Sequence, residues 1–268
     1  MLSTSDLTTD GTAAAPPAVS VEHVSASYRV IRETGSLVDD VLARFGRRSH
    51  LVRIVPALRD VSVQVPKGEV LGVVGRNGAG KSTLLRTIGG IVPPTEGRIV
   101  VRGRISAVLA AGVGFHRDLT GRDNIELGGL AMGIDEAHLG DLAESIAAFA
   151  QLGEYVDLPV RSYSSGMVSR LAFAVAAHLE PEVLLIDEAL AGGDSGFKEK
   201  CAAKMAELCG KGRTIVLVSH GLKVVRQMAT TCLWLHRGHV RELGDPDEVI
   251  PDYARFCKLN KDDESWDD

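Results

Sequence analysis

The chain has 268 residues, 45% hydrophobic and 24% charged, with a formal net charge of −5. That is an ordinary globular balance and enough chain to bury a substantial core without disulfide staples. The acidic balance gives no support to a broad nucleic-acid-binding surface. The longest apolar stretch, residues 171–190, is broken by His178, Glu180, Glu182 and Asp187, so it falls short of the ~18–20 apolar residues of a membrane span.

Residues 1–19 are small, polar and proline-bearing, the composition of a disordered lead-in. They contain no Lys or Arg and no continuous apolar run, so a secretory signal is not expected. Val61, Val63 and Val65 alternate with Ser62 and Gln64, the period of a half-buried strand. After a turn at Pro66, Lys67 and Gly68, residues 70–74 form a continuous apolar run of the kind buried in a parallel sheet. Residues 183–186 and 214–218 are two more such runs. Leu139, Leu142, Ile146 and Phe149 recur at helical spacing, as do Met167, Leu171, Ala174, Val175 and Leu179. Residues 232–235 and 240–243 flank a turn at Arg237 and Gly238 and read as a hairpin. A short helix over 247–250 and an acidic tail, 259–268, complete the chain. Buried parallel strands separated by helices define an α/β domain. Cys201, Cys209, Cys232 and Cys257 include no CxxC pair, the pattern of reduced thiols in a cytosolic protein.

Gly75, Arg76, Asn77, Gly78, Ala79, Gly80, Lys81 and Ser82 fit G-x-x-x-x-G-K-[ST] between a buried strand and a helical segment. The glycines let backbone N–H groups converge on phosphate oxygens, and the helix adds its positive end. Lys81 can reach the terminal phosphates, and the Ser82 hydroxyl can ligate Mg²⁺. Asp187 and Glu188 follow the strand at 183–186. An acid there can support Mg²⁺ and its neighbour can activate water, although the pair could also cap the next helix. Ser219 and His220 end the next strand, where α/β folds meet ligands; His220 is favoured as a γ-phosphate sensor over a structural histidine. Ser164, Ser165 and Gly166 open a helix. Ser164 reads as an N-cap, and the same free N–H groups also make an anion cradle.

In this order, these motifs resemble the ATP-binding-cassette (ABC) ATPases. Ser164 precedes Asp187 by 23 residues and Glu188 precedes His220 by 32, spacings that fit the family. The resemblance covers residues 20–250. It implies a P-loop NTPase (RecA-like) core with an antiparallel β subdomain and an inserted helical subdomain over about 112–178, the whole domain spanning 20–258. It also implies ATP and Mg²⁺ as ligands and a head-to-tail homodimer, each ATP lying between one subunit's phosphate loop and the other's signature helix. Carried over, Lys81, Ser82 and Thr83 contact phosphates and Mg²⁺, and Asp187 supports the metal. Glu188 is the general base and His220 the switch histidine. Ser164, Ser165 and Gly166 act on the partner's nucleotide, and Asp194 lies in the loop crossing the dimer seam. Tyr28 looks like the ring that stacks on adenine; the other reading is a strand core residue.

The signature Tyr163-Ser164-Ser165-Gly166-Met167, the seam loop ending Gly192-Gly193-Asp194, and the segment from Ile105 through Phe115 to Ile125 resemble the ATPases of bacterial surface-polysaccharide exporters. An insertion at residues 31–55 resembles that branch too. The resemblance implies ATP-driven export of a lipid-linked glycan through a separate polytopic membrane subunit, with this chain peripheral on the cytoplasmic face of the membrane. A small-molecule, drug or lipid exporter is the alternative, and a nucleic-acid-directed ABC protein a remoter one. The chain departs from the general pattern near Ala110, Ala111 and Gly112, where no glutamine occurs to contact Mg²⁺. Only 48 residues follow His220, too few for a carbohydrate-binding sandwich of ~100 residues, so glycan selection by this chain is not expected.

Overall fold

The structure, a computed structural model, describes residues 15–32, 51–108, 114–187, 195–219 and 221–260. β1 (Val19–Arg32), β2 (Leu51–Val65) and β4 (Glu96–Val101) form an antiparallel sheet in the order β2-β1-β4. The β1–β2 ribbon pairs from Val19 opposite Val65 to Arg32 opposite Leu51. Sequence alternation located only its inner half. The first and last residues of the expected insertion, 31–32 and 51–55, instead prolong the two strands, while 33–50 lie outside the described residues. The outer half is wet on both faces, with Ile54 62% exposed, so no period-two pattern marks it.

The second sheet has the order β5 (Ile105–Val108), β6 (Val183–Ile186), β7 (Thr214–Val218), β3 (Val70–Val74), β8 (Thr231–His236) and β9 (His239–Gly244). All neighbours are parallel except β8 and β9. Every residue of β3, β6 and β7 is buried, because both faces are covered and neither needs a polar alternation. α1 (Lys81–Ile88) joins the three-stranded sheet in one core, through Leu84, Leu85 and Ile88 with Val61, Val63 and Leu71.

On the other face, Phe197, Met205 and Leu208 of α5 (Ser195–Gly210) pack against Leu184, Ile186 and Leu217. α2 (Gly121–Ala131), α3 (Glu136–Ala150) and α4 (Ser165–His178) enclose a third core around Ile125, Ile146 and Leu171. Thr120 and Asp123 cap α2 reciprocally. Arg122 ties α2 to Asp157 at 2.7 Å and to Glu144 of α3 at 2.8 Å. α4 serves two cores, since Phe173 faces the sheet and Leu171 the helices.

After α6 (Leu222–Met228), α7 runs Pro246–Leu259, nine residues beyond the expected short helix. Pro251 and Asp252 end the pattern in sequence. In the fold, Val249, Ile250 and Tyr253 are buried against Trp234 and carry the helix through the proline. Leu259, assigned to the acidic tail from sequence, is therefore helical, and 261–268 lie outside the described residues. No helix among the described residues is long and apolar enough to cross a membrane.

Candidate active site

The glycine-rich loop leaves the carboxyl end of β3, in the interior of the sheet. Gly78 and Gly80 have φ of +75° and +104°, a region that L side chains enter only at a cost. A Cβ on Gly80 would also stand 2.5 Å from the Ala57 carbonyl oxygen. α1 then starts without any side-chain cap, so its first N–H groups, with the positive end of the helix dipole, are available to an anion. They open on a cleft of about 410 Å³ lined by Asn77 through Thr83, by Val55, Pro56 and Ala57, and by Asp187 and Val218. Lys81 is only 7% exposed. Its Nζ donates to the carbonyls of Gly75 at 2.7 Å and Arg76 at 3.0 Å, which fixes the ammonium across the loop.

Asp187 follows β6 and is anchored by its N–H, which donates to Val108 O at 2.8 Å. Its side chain is 8% exposed and lines the same cleft as Lys81 and Ser82. β7 separates β6 from β3, so the carboxyl ends of these three parallel strands gather phosphate loop, acid and Ser219 along one edge. Glu188, Asp194 and His220 lie outside the described residues, as do positions 110–112 where a glutamine is missing. Tyr28, half-buried, places its hydroxyl 3.3 Å from Thr83 Oγ1 and so reaches from β1 to the start of α1.

Ser164 caps α4, its Oγ accepting from Met167 N at 3.2 Å. Ser164 and Ser165 are exposed, and neither they nor Gly166 is among the residues lining the phosphate cleft of the same chain. Tyr163 is a packing residue: it is buried beside Gly121, its hydroxyl donates to Tyr155 O at 2.6 Å, and burial pushes its pKa up.

Two features of the site are not visible in the sequence. Gly238, read only as a hairpin turn, donates to Ala79 O at 3.0 Å and accepts from Arg59 N at 2.9 Å, clamping the phosphate loop to β2. Asn124, 5% exposed, donates to the carbonyls of His116 and Thr120 and accepts from His116 N at 2.7 Å, fixing the segment that enters α2. A buried asparagine one turn into a helix was the only clue to it.

An uncapped helix start, a cradle that a Cβ would fill, a buried ammonium, and a hydroxyl with a carboxylate in one cleft are the donor set that a nucleoside triphosphate with Mg²⁺ requires. Residues 58–191 match the family described as ABC transporter. The chain is 47% identical over 213 residues to the O-antigen export system ATP-binding protein RfbB of Myxococcus xanthus, covering 80% of this chain and 49% of that protein. It is 40% identical over 240 residues to the teichoic acids export ATP-binding protein TagH of Listeria monocytogenes, covering 90% and 70%. It therefore spans about half the length of the first relative and more of the second. The fold resembles the dimeric post-hydrolysis structure of the ATP-binding cassette MJ0796 bound to ADP and Pi, with a TM-score of 0.69 at 24% identity over 85% of this chain and 98% of that one. The chain belongs to the ABC transporter family.

Proposed function

We propose that this chain hydrolyses ATP to drive export of a lipid-linked surface polysaccharide through a separate polytopic membrane subunit, at the cytoplasmic face of the membrane. The observation that carries the nucleotide half is the convergence of Lys81, Ser82 and Asp187 on one cleft at the uncapped start of α1. The export half is supported by relatives named for O-antigen export and for teichoic acids export.

Gly75 through Gly80 offer backbone N–H groups to the phosphates, Lys81 offers its ammonium, and Thr83 closes the first turn. Ser82 Oγ and the Asp187 carboxylate hold Mg²⁺, which when bound neutralises phosphate charge. Glu188 accepts the proton of the attacking water and His220 positions the terminal phosphate, while Tyr28 supports the adenine. Ser164, Ser165, Gly166 and Asp194 act across a homodimer seam. The exposed helix start at Ser164, absent from its own chain's cleft, is what supports that assignment. The test is export itself: in cells lacking this gene, lipid-linked glycan should stay on the inner leaflet. The wild-type gene should restore its surface appearance and a Glu188→Gln copy should not. Normal surface glycan in the deletion strain would refute the export reading.

A further inference from the structure

Next to the phosphate cleft lies a larger cavity, of about 750 Å³, lined by Arg53, Arg59, Arg237 and Arg241 together with His236 and His239. No carboxylate is among its described lining residues. Val55, Pro56 and Gly78 line both cavities, so the two share a wall. In a chain of net charge −5, the guanidiniums of Arg53, Arg59 and Arg241 around one hollow concentrate positive potential where a polyanion lowers the energy. Arg241 is held there by ring faces, its guanidinium carbon 4.6 Å from the Trp234 centroid and 4.3 Å from that of Phe256. Stacking of this kind fixes the group without neutralising it.

The same helix that supplies Phe256 delivers the next stretch of chain to this place. Phe256 also lies 5.2 Å from His236. Four residues on, the carbonyl of Asn260 accepts from Arg76 Nη1, in the phosphate loop, at 2.9 Å. The sequence then continues Lys261, Asp262, Asp263, Glu264, Ser265, Trp266, Asp267 and Asp268, five carboxylates against a single lysine. Eight residues can span up to about 26 Å, and so short a tether gives an effective concentration in the millimolar range. We propose that the acidic segment 262–268 docks into the arginine-lined cavity of its own chain. Docked there, it places negative charge against the wall of the phosphate cleft and weakens binding of a nucleoside triphosphate. This second step rests on the reading of that cleft as the ATP site; the docking itself does not.

Trp266 reports the docking in the 268-residue chain, because the other tryptophan, Trp234, is only 3% exposed. Acrylamide quenching at about 50 mM salt should be several-fold weaker than at about 0.5 M, where the Debye length shrinks and the docked segment is released. Arg53→Glu with Arg59→Glu, both exposed positions outside the nucleotide machinery, should make Trp266 quenchable at low salt while circular dichroism stays unchanged. Equal quenching of wild type and variant, whether both protected or both open, overturns the proposal. Protection that disappears on dilution also overturns it, in favour of docking between copies. Truncation after Asn260 should tighten MgATP binding about threefold at low salt and leave it unchanged at high salt. Unchanged affinity at low salt with Trp266 protected would refute the coupling to nucleotide alone.

Discussion

At the scale of single residues, the cleft separates binding from chemistry. Lys81 is buried in the phosphate loop, bonded to the carbonyls of Gly75 and Arg76. A phosphate oxygen is a stronger, charge-assisted partner for that ammonium. Lys81→Ala should therefore weaken nucleotide binding itself, measured by calorimetry, and hydrolysis with it. Glu188, beside the cleft-lining Asp187, need not hold the nucleotide. Glu188→Gln should keep ATP affinity within a few-fold and lower turnover by ~10²–10⁴. Wild-type turnover in the purified Gln variant would remove Glu188 from the general-base role. The loop residues were legible in sequence because each glycine, the lysine and the serine answers a local requirement of an anion cradle, set between a strand and a helix that also show locally. Asn124 and Gly238 were not legible. Their partners, the N–H and carbonyl of His116 for one and Ala79 and Arg59 for the other, are backbone groups that only the folded chain brings near.

At the scale of elements, α4 links the helical core to the sheet, and His178 in its last turn is a test of that joint. The ring packs edge-on to Phe149, with centroids 4.9 Å apart, and its Nδ1 lies 2.8 Å from Ala174 O. Burial holds its pKa below the ordinary value, outweighing the backbone bond, with Lys204 lowering and Glu207 and Glu180 raising it. The unfolded chain takes up this proton near pH ~6.5 while the folded one resists. The contribution is thus complete above pH ~6.5 and is lost as pH falls through the folded pKa. Denaturant unfolding at pH 7.5 and 5.5 should show wild type losing more stability on acidification than His178→Leu; parallel losses would place the titration elsewhere.

A second element-scale test concerns the groove of about 340 Å³ between β5 and α2, lined by Phe115, Asn124 and Leu127. Phe115 packs partly on the helical core, whereas Leu127 is 47% exposed, and we propose that it meets the membrane subunit. Leu127→Ser should reduce export while the ATPase of the isolated chain stays within about twofold, since surface changes cost little stability. Equal losses in both assays would mark a folding defect. Strands whose two faces are buried announced themselves by continuous apolar runs. The outer ribbon of β1 and β2 and the last turns of α7 did not, because solvent on both faces erases periodicity in one and a proline interrupts it in the other.

At the scale of the whole molecule, the phosphate cleft and the helix start at Ser164 lie apart within one chain. The cleft gathers residues from the carboxyl ends of β3, β6 and β7, while the exposed N-terminus of α4 at Ser164 belongs to the helical layer and takes no part in lining it. A helix start can bind an anion brought from outside; under the proposed head-to-tail pairing that anion is the nucleotide of a second copy. The proposed division rests on the motif order, since composition and periodicity carry no information about which copy supplies which residue. It leads to a complementation test. A Lys81→Ala chain and a Ser164→Arg chain should each be nearly inactive alone. Mixed in equal amounts, they form some dimers in which Lys81 of one subunit faces Ser164 of the other, and ATPase activity should return to about a quarter of wild type if subunits assort at random. Ser164→Arg also removes an N-cap, at a cost of ~1 kcal/mol, so Ser164→Asp, which keeps the cap but puts a carboxylate against the phosphates, should behave alike in the mixture. Full activity of either Ser164 variant alone, or no recovery on mixing chains that still dimerise, would overturn the shared site.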